Sequence, residues 1–322
     1  MAMVLLTKFS RYFQEVIHHG SIRKAAEHLH IAASAVDRQI LNVEETLGVR
    51  LFDRVSGGVR LTAAGEAVFH QLTRWGKEEA ALHRHLAELK NARGGEVRIA
   101  VADGLAVSFI PSVIMLLHDD SPGLRFKVTV ATAATAAILL RAGDCDLGVT
   151  FDPPSFAGLS VEAEALSRLG VLVPRDHPLT RMEDVRVTDC TGYPIVAPDS
   201  STTLWRLVKE LLEETDMPYD IVFNSNNIAL VCDMVKKNLG IAIMRDLDAF
   251  GHYNEDEARF IELNETKLAT QKLSLIIPKT RVLSPSAHFI IEKFKKIFQG
   301  FDNNPQQFLG KPKLVGDGGK AE

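Results

Sequence analysis

Side chains suited to chemistry fall into two groups in this chain of 322 residues. The first lies near the N-terminus: Ser21, Arg23, Ser34, Asp37, Arg38 and Gln39, followed by Arg54, Arg60 and Thr62. Hydroxyl, amide and guanidinium groups of this kind hydrogen-bond polar edges and phosphates. The second group sits at turns expected to open helices: Asp103-Gly104, the run from Thr132 through Ala133 to Thr135, Ser201-Thr202-Thr203, and Asn226. Hydroxyls at helix starts, where unpaired N–H groups point outward, suit a small polar or anionic metabolite. Each of them serves equally well as an ordinary helix cap. Asp103 is the odd member, because a carboxylate at that rim disfavours an acid and suits a hydroxylated or cationic ligand.

Covalent and redox chemistry find little support. There is no GxGxxG after a strand, no GxxxxGK[ST], no HExxH and no GxSxG. Seven of the 11 histidines precede residue 93, away from the hydroxyl-bearing turns. Cys145, Cys190 and Cys232 form no CxxC pair and read as buried thiols in a reducing compartment, so neither a metal nor a cofactor is expected. The longest uncharged runs, 104–117 and 128–140, hold 14 and 13 residues. A membrane-spanning helix needs about 20, so no membrane segment is expected. The N-terminus lacks the pattern of a signal peptide, which points to a cytoplasmic protein.

With 46% hydrophobic residues and 24% charged ones the chain is globular, and its length implies two or three domains. Its net charge of −4 argues against a polyanionic partner until it is divided along the chain. Residues 1–62 hold eight basic and six acidic side chains, residues 63–92 four of each, and residues 93–322 hold 25 and 31. A mildly basic head precedes an acidic body.

Spacing supplies the elements that position these groups. Apolar positions predict helices over 5–17 and 22–29, the second with Ser21 as N-cap and a small face at Ala25-Ala26. A third covers about 33–47, stopped by Gly48. Two short helices that cross closely through alanines suit a helix-turn-helix. Residues 49–62, centred on Gly57-Gly58, read as a hairpin with Arg54 and Arg60 flanking its tip.

Residues 9–65 resemble the winged helix-turn-helix of the LysR-type transcriptional regulators. The matching pieces include Phe13, Gly20-Ser21, Ala25-Ala26, Ser34-Ala35-Val36, Arg38-Gln39-Ile40, Glu44-Glu45, Leu51-Phe52 and Arg60-Leu61-Thr62 with Gly65. The resemblance implies sequence-specific DNA binding, with Ala33, Ser34, Asp37, Arg38 and Gln39 in the major groove. Ser21, Arg23, Arg54, Arg60 and Thr62 would lie at the backbone. The chain departs from the family in having Ala32-Ala33-Ser34 where Ser-Gln-Pro is usual, and Asp37 where a serine is common. Asp37 either accepts from a cytosine amino group or holds Arg38 in a local ion pair, the second being the preferred reading.

From 63 to 89 a helix is expected, with Val68, Leu72, Trp75, Leu82, Leu86 and Leu89 forming a heptad seam in which Glu79 fills one gap. Such a seam packs on its own chain or on a second copy, and the second copy is favoured because paired heads read a two-fold site. The glycines at 94–95 then mark a boundary. Beyond it, alternating strands and helices over 96–151, 170–244 and 272–298 predict parallel α/β units. They resemble the periplasmic-binding-protein-like effector domain of the same family, supported by the runs at 140–148 and 239–242.

The expected architecture is therefore α+β and multidomain: a winged helix-turn-helix (1–62), a linker and dimerisation helix (63–93), and an effector domain (94–300) of two α/β subdomains, 95–165 with 270–300 and 166–269. Residues 301–322 read as a disordered tail. The resemblance implies a regulator rather than an enzyme, bound to double-stranded DNA at an interrupted palindrome. It further implies a homodimer, and by the same token a homotetramer, switched by a small-molecule effector of unknown identity held between the subdomains. The family's first-turn hydroxyl is missing, since Gly104 falls there. The rival readings are an enzyme or solute-binding α/β protein with an accessory helical module.

Overall fold

The computed structural model describes residues 8–90, 95–107, 109–155, 157–252, 256–264 and 271–303, without the side chains of 87–90 and 301–303. The chain divides into two compact units, at residue 87 within a long helix.

In the first unit, α1 (Lys8–His19), α2 (Ile22–Leu29) and α3 (Ala33–Leu47) precede a hairpin of β1 (Phe52–Val55) and β2 (Gly58–Leu61), and α4 (Ala63–Lys90) follows. Phe9, Phe13 and Val16 of α1 meet Ala25 and Ala26 of α2, Val36 and Ile40 of α3, and Leu51-Phe52. Ser21 caps α2 by accepting from the Lys24 N–H, whereas Ala32 offers α3 no side-chain cap. The hairpin rests on the α1–α2 turn, where the Val59 N–H donates to the Gly20 carbonyl at 2.9 Å. That approach leaves no room for a Cβ at Gly58. Glu44 accepts from the Leu51 and Phe52 N–H groups at 2.6 and 3.1 Å, fixing the hairpin to α3.

The second unit contains two sheets. Its first has the order β4-β3-β5-β12-β6, formed by β3 (Glu96–Val101), β4 (Arg125–Val130), β5 (Leu147–Phe151), β6 (Leu159–Ser167) and β12 (Gln271–Pro278). Helices α5 (Phe109–Asp120), α6 (Ala133–Ala142) and α11 (Pro285–Asn303) belong with it. Phe109, Phe151, Phe294 and Phe298 supply the bulk of its core. Its second comprises β7 (Leu169–Pro174) between β10 (Ala242–Arg245) and β11 (Ala258–Glu262), with β8 (Pro194–Pro198) and β9 (Asp220–Ser225) attached by a bridge between Ile195 and Ile241. Helices α7 (Val187–Cys190), α8 (Thr203–Glu213), α9 (Ile228–Lys236) and α10 (Asp246–Ala249) complete this half.

The expected all-parallel arrangement needs correction. Strands β3, β4 and β5 are parallel, but β12 runs antiparallel to both neighbours, and β7 is antiparallel to β10 and β11. Strands β6 and β11 were not expected. The β6 segment alternates Ala and Glu, which are poor strand formers, and pairing along all eight residues of β12 overrides that preference. This strand carries the first sheet to Ser167, and α11 continues through Asn303 rather than ending at 298, so 301–303 are helix and not the tail expected to begin there. Helix residues expected at 5–7, the boundary glycine at 94, the Leu89 side chain and the tail beyond 303 lie outside the described residues.

The run at 140–148 builds scaffold. Gly143 turns the chain out of α6 at φ 77°. Asp146 then accepts from Arg98 Nε and Nη2 at 3.1 and 2.7 Å and from Arg281 Nη2 at 3.1 Å. One carboxylate between two guanidiniums ties β3 to the α6–β5 turn and to the loop before α11.

Candidate functional site

In the head, Ala33, Ser34 and Arg38 are exposed on the first turns of α3, with Gln39 half-buried beside them. Arg23 is exposed on α2 and engages its neighbour Glu27 at 3.2 Å. Asp37 makes a different contact from the one expected: its Oδ1 accepts from Arg54 Nη2 at 3.3 Å. The carboxylate thus joins α3 to the hairpin instead of holding Arg38. Strand register changes the reading of the two hairpin arginines. Arg60 stands opposite Asp53 and Arg54 opposite Val59, so the two guanidiniums leave opposite faces of the ribbon rather than flanking its tip together. Thr62 is occupied structurally, since its hydroxyl donates to the Arg50 carbonyl at 2.7 Å and accepts from the Gly65 N–H at 3.0 Å.

The seam along α4 divides into two parts. Leu72 is buried and Val68 half-buried against the core of the head, so these two are own-chain packing residues rather than free seam positions. Trp75, Leu82 and Leu86 are 46%, 46% and 45% exposed, and Glu79 is buried between them. A seam whose first third is already covered leaves Trp75, Leu82 and Leu86 open.

In the second unit, the hydroxyl-bearing turns converge. A cavity of about 240 Å³ between the two sheets is lined by Asp103, Gly104, Thr132, Ala133, Thr150 and Phe151 from the first half. Ser201, Thr202, Thr203, Asn226, Arg245 and Asp248 close it from the second. Thr135 is exposed and does not line the cavity, its hydroxyl accepting from Thr132 at 3.0 Å. Thr132 and Thr202 also cap α6 and α8, accepting from the Thr135 and Trp205 N–H groups. Asn227, which was not anticipated, caps α9. Ser201 directs its hydroxyl at Asp199, 2.6 Å away.

Three helix starts therefore face one cavity. At the third, Asp103 Oδ2 accepts the Ile228 N–H at 2.7 Å, so a carboxylate from the first half already occupies the N-terminus of α9 in the second. Gly104 permits this crossing, because a Cβ there would collide with the Asp248 carboxylate.

The most buried charges of the cavity were absent from the expected set. Arg245 and Asp248 are 3% and 2% exposed and pair at 3.0 Å. Arg245 also donates to Thr203 at 3.0 Å and Gln271 at 2.8 Å, and its guanidinium lies 4.0 Å over the Phe151 ring. Its Nε, buried at the cavity, has no hydrogen-bond partner among the described residues. Burial pushes the Asp248 carboxyl above its ordinary range, against the opposing pull of Arg245. A charged residue closing the apolar strand β10, followed by Asp-Leu-Asp, is the one signal in the sequence that pointed here.

Among the described residues, no helix is long and apolar enough to cross a membrane. The family model for the LysR substrate binding domain matches residues 90–299, and that for the bacterial regulatory helix-turn-helix protein of the lysR family matches residues 8–66. The RuBisCO operon transcriptional regulator of Allochromatium vinosum is 33% identical over 73% of this chain and 77% of its own. The transcriptional dual regulator GltC of Bacillus subtilis is 26% identical over 90% and 97%. Among solved structures, full-length CbnR bound to its target DNA covers 90% of this chain and 98% of its own at TM-score 0.62 and 18% identity. Full-length BenM covers 93% and 99% at TM-score 0.53 and 21% identity. This chain belongs to the LysR family of transcriptional regulators, DNA-binding proteins that carry an effector-binding domain and are not enzymes.

Proposed function

We propose that this regulator acts in the cytoplasm as a homo-oligomer that grips an interrupted palindrome through α3 and the hairpin of each head. A small polar metabolite in the cavity between the two sheets sets its output. Arg38, Ser34 and Gln39 read base edges, while Arg23 and Arg60 meet phosphates and Arg54 is held by Asp37. Subunits pair through Trp75, Leu82 and Leu86, which a second copy of α4 would cover. The mild charge of the head supports this pairing, because one head alone offers few phosphate contacts.

The convergence of three helix N-termini with the buried Arg245–Asp248 pair on one cavity carries the effector reading. Since Asp103 fills the start of α9, the effector is expected to direct a hydroxyl or cationic donor at Asp103 and its acceptors at the starts of α6 and α8. Ligand binding that changes how the two halves meet would shift the population of head arrangements.

Two measurements test this reading. Selection of bound sequences from random DNA by the full chain, followed by footprinting, is expected to yield two protected half-sites on one face of the duplex. A single protected half-site would refute the paired-head arrangement. A thermal-shift screen of metabolites is expected to give ligands that raise the midpoint and alter that footprint. Ligands that bind without altering it would remove the switch.

A further inference from the structure

A cluster in the head takes no part in this reading. Glu15 and His19 stand one helical turn apart on α1, and His28 reaches them from α2. Glu15 Oε2 lies 3.3 Å from His19 Nε2 and 3.0 Å from His28 Nδ1, and the three atoms all fall within 4.8 Å of one another. We propose that Glu15, His19 and His28 bind one divalent transition ion of the zinc class, which fastens α1 to α2.

Three observations support the assignment. Distance is the first: zinc bonds of about 2.0–2.1 Å at tetrahedral angles separate ligand atoms by about 3.4 Å, close to the two contacts from Glu15. The second is the state of the donors. Glu15 Oε2 and His19 Nε2 are both buried and make no hydrogen bond among the described residues, although each has the other nearby. Two lone-pair donors withdrawn from water and aimed at one another leave a position that a cation satisfies. Third, the rings pack on one another: His19 stacks edge-on against His18 and tilts against His28, with centroids 4.9 Å apart in both pairs.

Ligand type selects the ion. Two imidazoles and one carboxylate suit Zn, Ni or Cu and not Mg or Ca, which take oxygen ligands. His28 is 62% exposed, so the fourth position opens to solvent and is filled by water. No local motif announces the trio, because its third member comes from the next helix. An ion here holds α2, the first helix of the helix-turn-helix, at a set angle to α1.

The test titrates metal-free full-length protein with ZnCl2 by calorimetry and with CoCl2 by visible absorption, against His28→Ala and Glu15→Gln. The exposed His28 is replaceable without disturbing the core, and a melt in chelator checks that each variant folds. The wild type is expected to bind one Zn2+ per chain, to melt higher with ZnCl2, and to give the visible bands of tetrahedral Co2+. Each variant is expected to lose affinity by about tenfold or more, with its chelator melt unchanged. Affinity shared by wild type and both variants would overturn the site, placing the ion on surface histidines. So would a wild type that binds no metal and whose stability responds to pH alone, since the cluster would then be a Glu-His ion pair.

Discussion

The Asp103 carboxylate accepts the backbone N–H of Ile228 at 2.7 Å, so the first half of the effector unit supplies an anion to a helix start in the second. This hydrogen bond is charge-assisted and crosses the cavity, which makes it a strap between the halves. Asp103→Ala is expected to cost about 1.5–3 kcal/mol in urea melts of the full chain. It also frees the start of α9 and removes a negative charge. Sulfate should therefore stabilise Asp103→Ala more than the wild type, and an equal sulfate response in both would refute the strap.

Arg38 is exposed on α3, whereas Asp37 and Arg54 neutralise each other. Arg38→Ala is expected to weaken operator binding by about 1–3 kcal/mol and to relax preference at one base position. Asp37→Asn releases Arg54 for a phosphate, which should strengthen binding to any sequence and steepen its salt dependence. Gel-shift titrations on operator and unrelated DNA at two salt concentrations separate the two effects.

The division of the α4 seam makes a paired prediction. Leu72→Ala removes a buried side chain and is expected to destabilise the head by about 2–5 kcal/mol while leaving association intact. Leu82→Glu alters an exposed side chain, so it should leave the head stable and yield monomers in sedimentation equilibrium. Monomers from Leu72→Ala, or dimers from Leu82→Glu, would reverse the assignment.

Helices of the head were legible because each buries one stripe at a 3.6-residue period and is bounded on at least one side by a glycine or hydroxyl residue. Periodicity does not say which surface covers the stripe, and Val68 and Leu72 were misread for that reason. Asp37 was assigned to its sequence neighbour Arg38, yet its partner is 17 residues away across the hairpin, and such pairings leave no local trace. In the cavity, turns rich in Ser and Thr were recognisable by composition. Arg245 and Asp248 left only the faint trace of a charge closing an apolar strand, since they become a site only when both halves bury them. Edge pairing likewise hid β6 behind its helix-forming Ala and Glu residues.

Asp146 accepts from two guanidiniums that are themselves largely buried. Asp146→Ala removes the carboxylate that both Arg98 and Arg281 bond, leaving them the weaker pull of Asp144, and removing one partner of a buried pair typically costs about 3–5 kcal/mol. Thermal melts should therefore show a large loss for Asp146→Ala. Arg281→Met should lose less, because it relieves the repulsion and leaves the shorter Arg98 contact in place.

Stability should also follow pH through two histidines of the effector unit. Burial depresses His252 below its ordinary value, with Lys236 adding to the effect, and burial alone depresses His177. Both are neutral when folded at pH 7 and take up protons more readily once unfolded. The unfolded chain therefore binds more protons below the ordinary imidazole value of about 6.5, and stability falls as pH drops from there through the folded-state values. His252 Nε2 is buried without a hydrogen-bond partner among the described residues, so protonation there finds no acceptor. Urea melts between pH 7.5 and 5 are expected to show falling stability in the wild type and a shallower slope in His252→Gln, which cannot take up that proton. Equal slopes would mean that His252 charges as easily folded as unfolded, which its burial opposes.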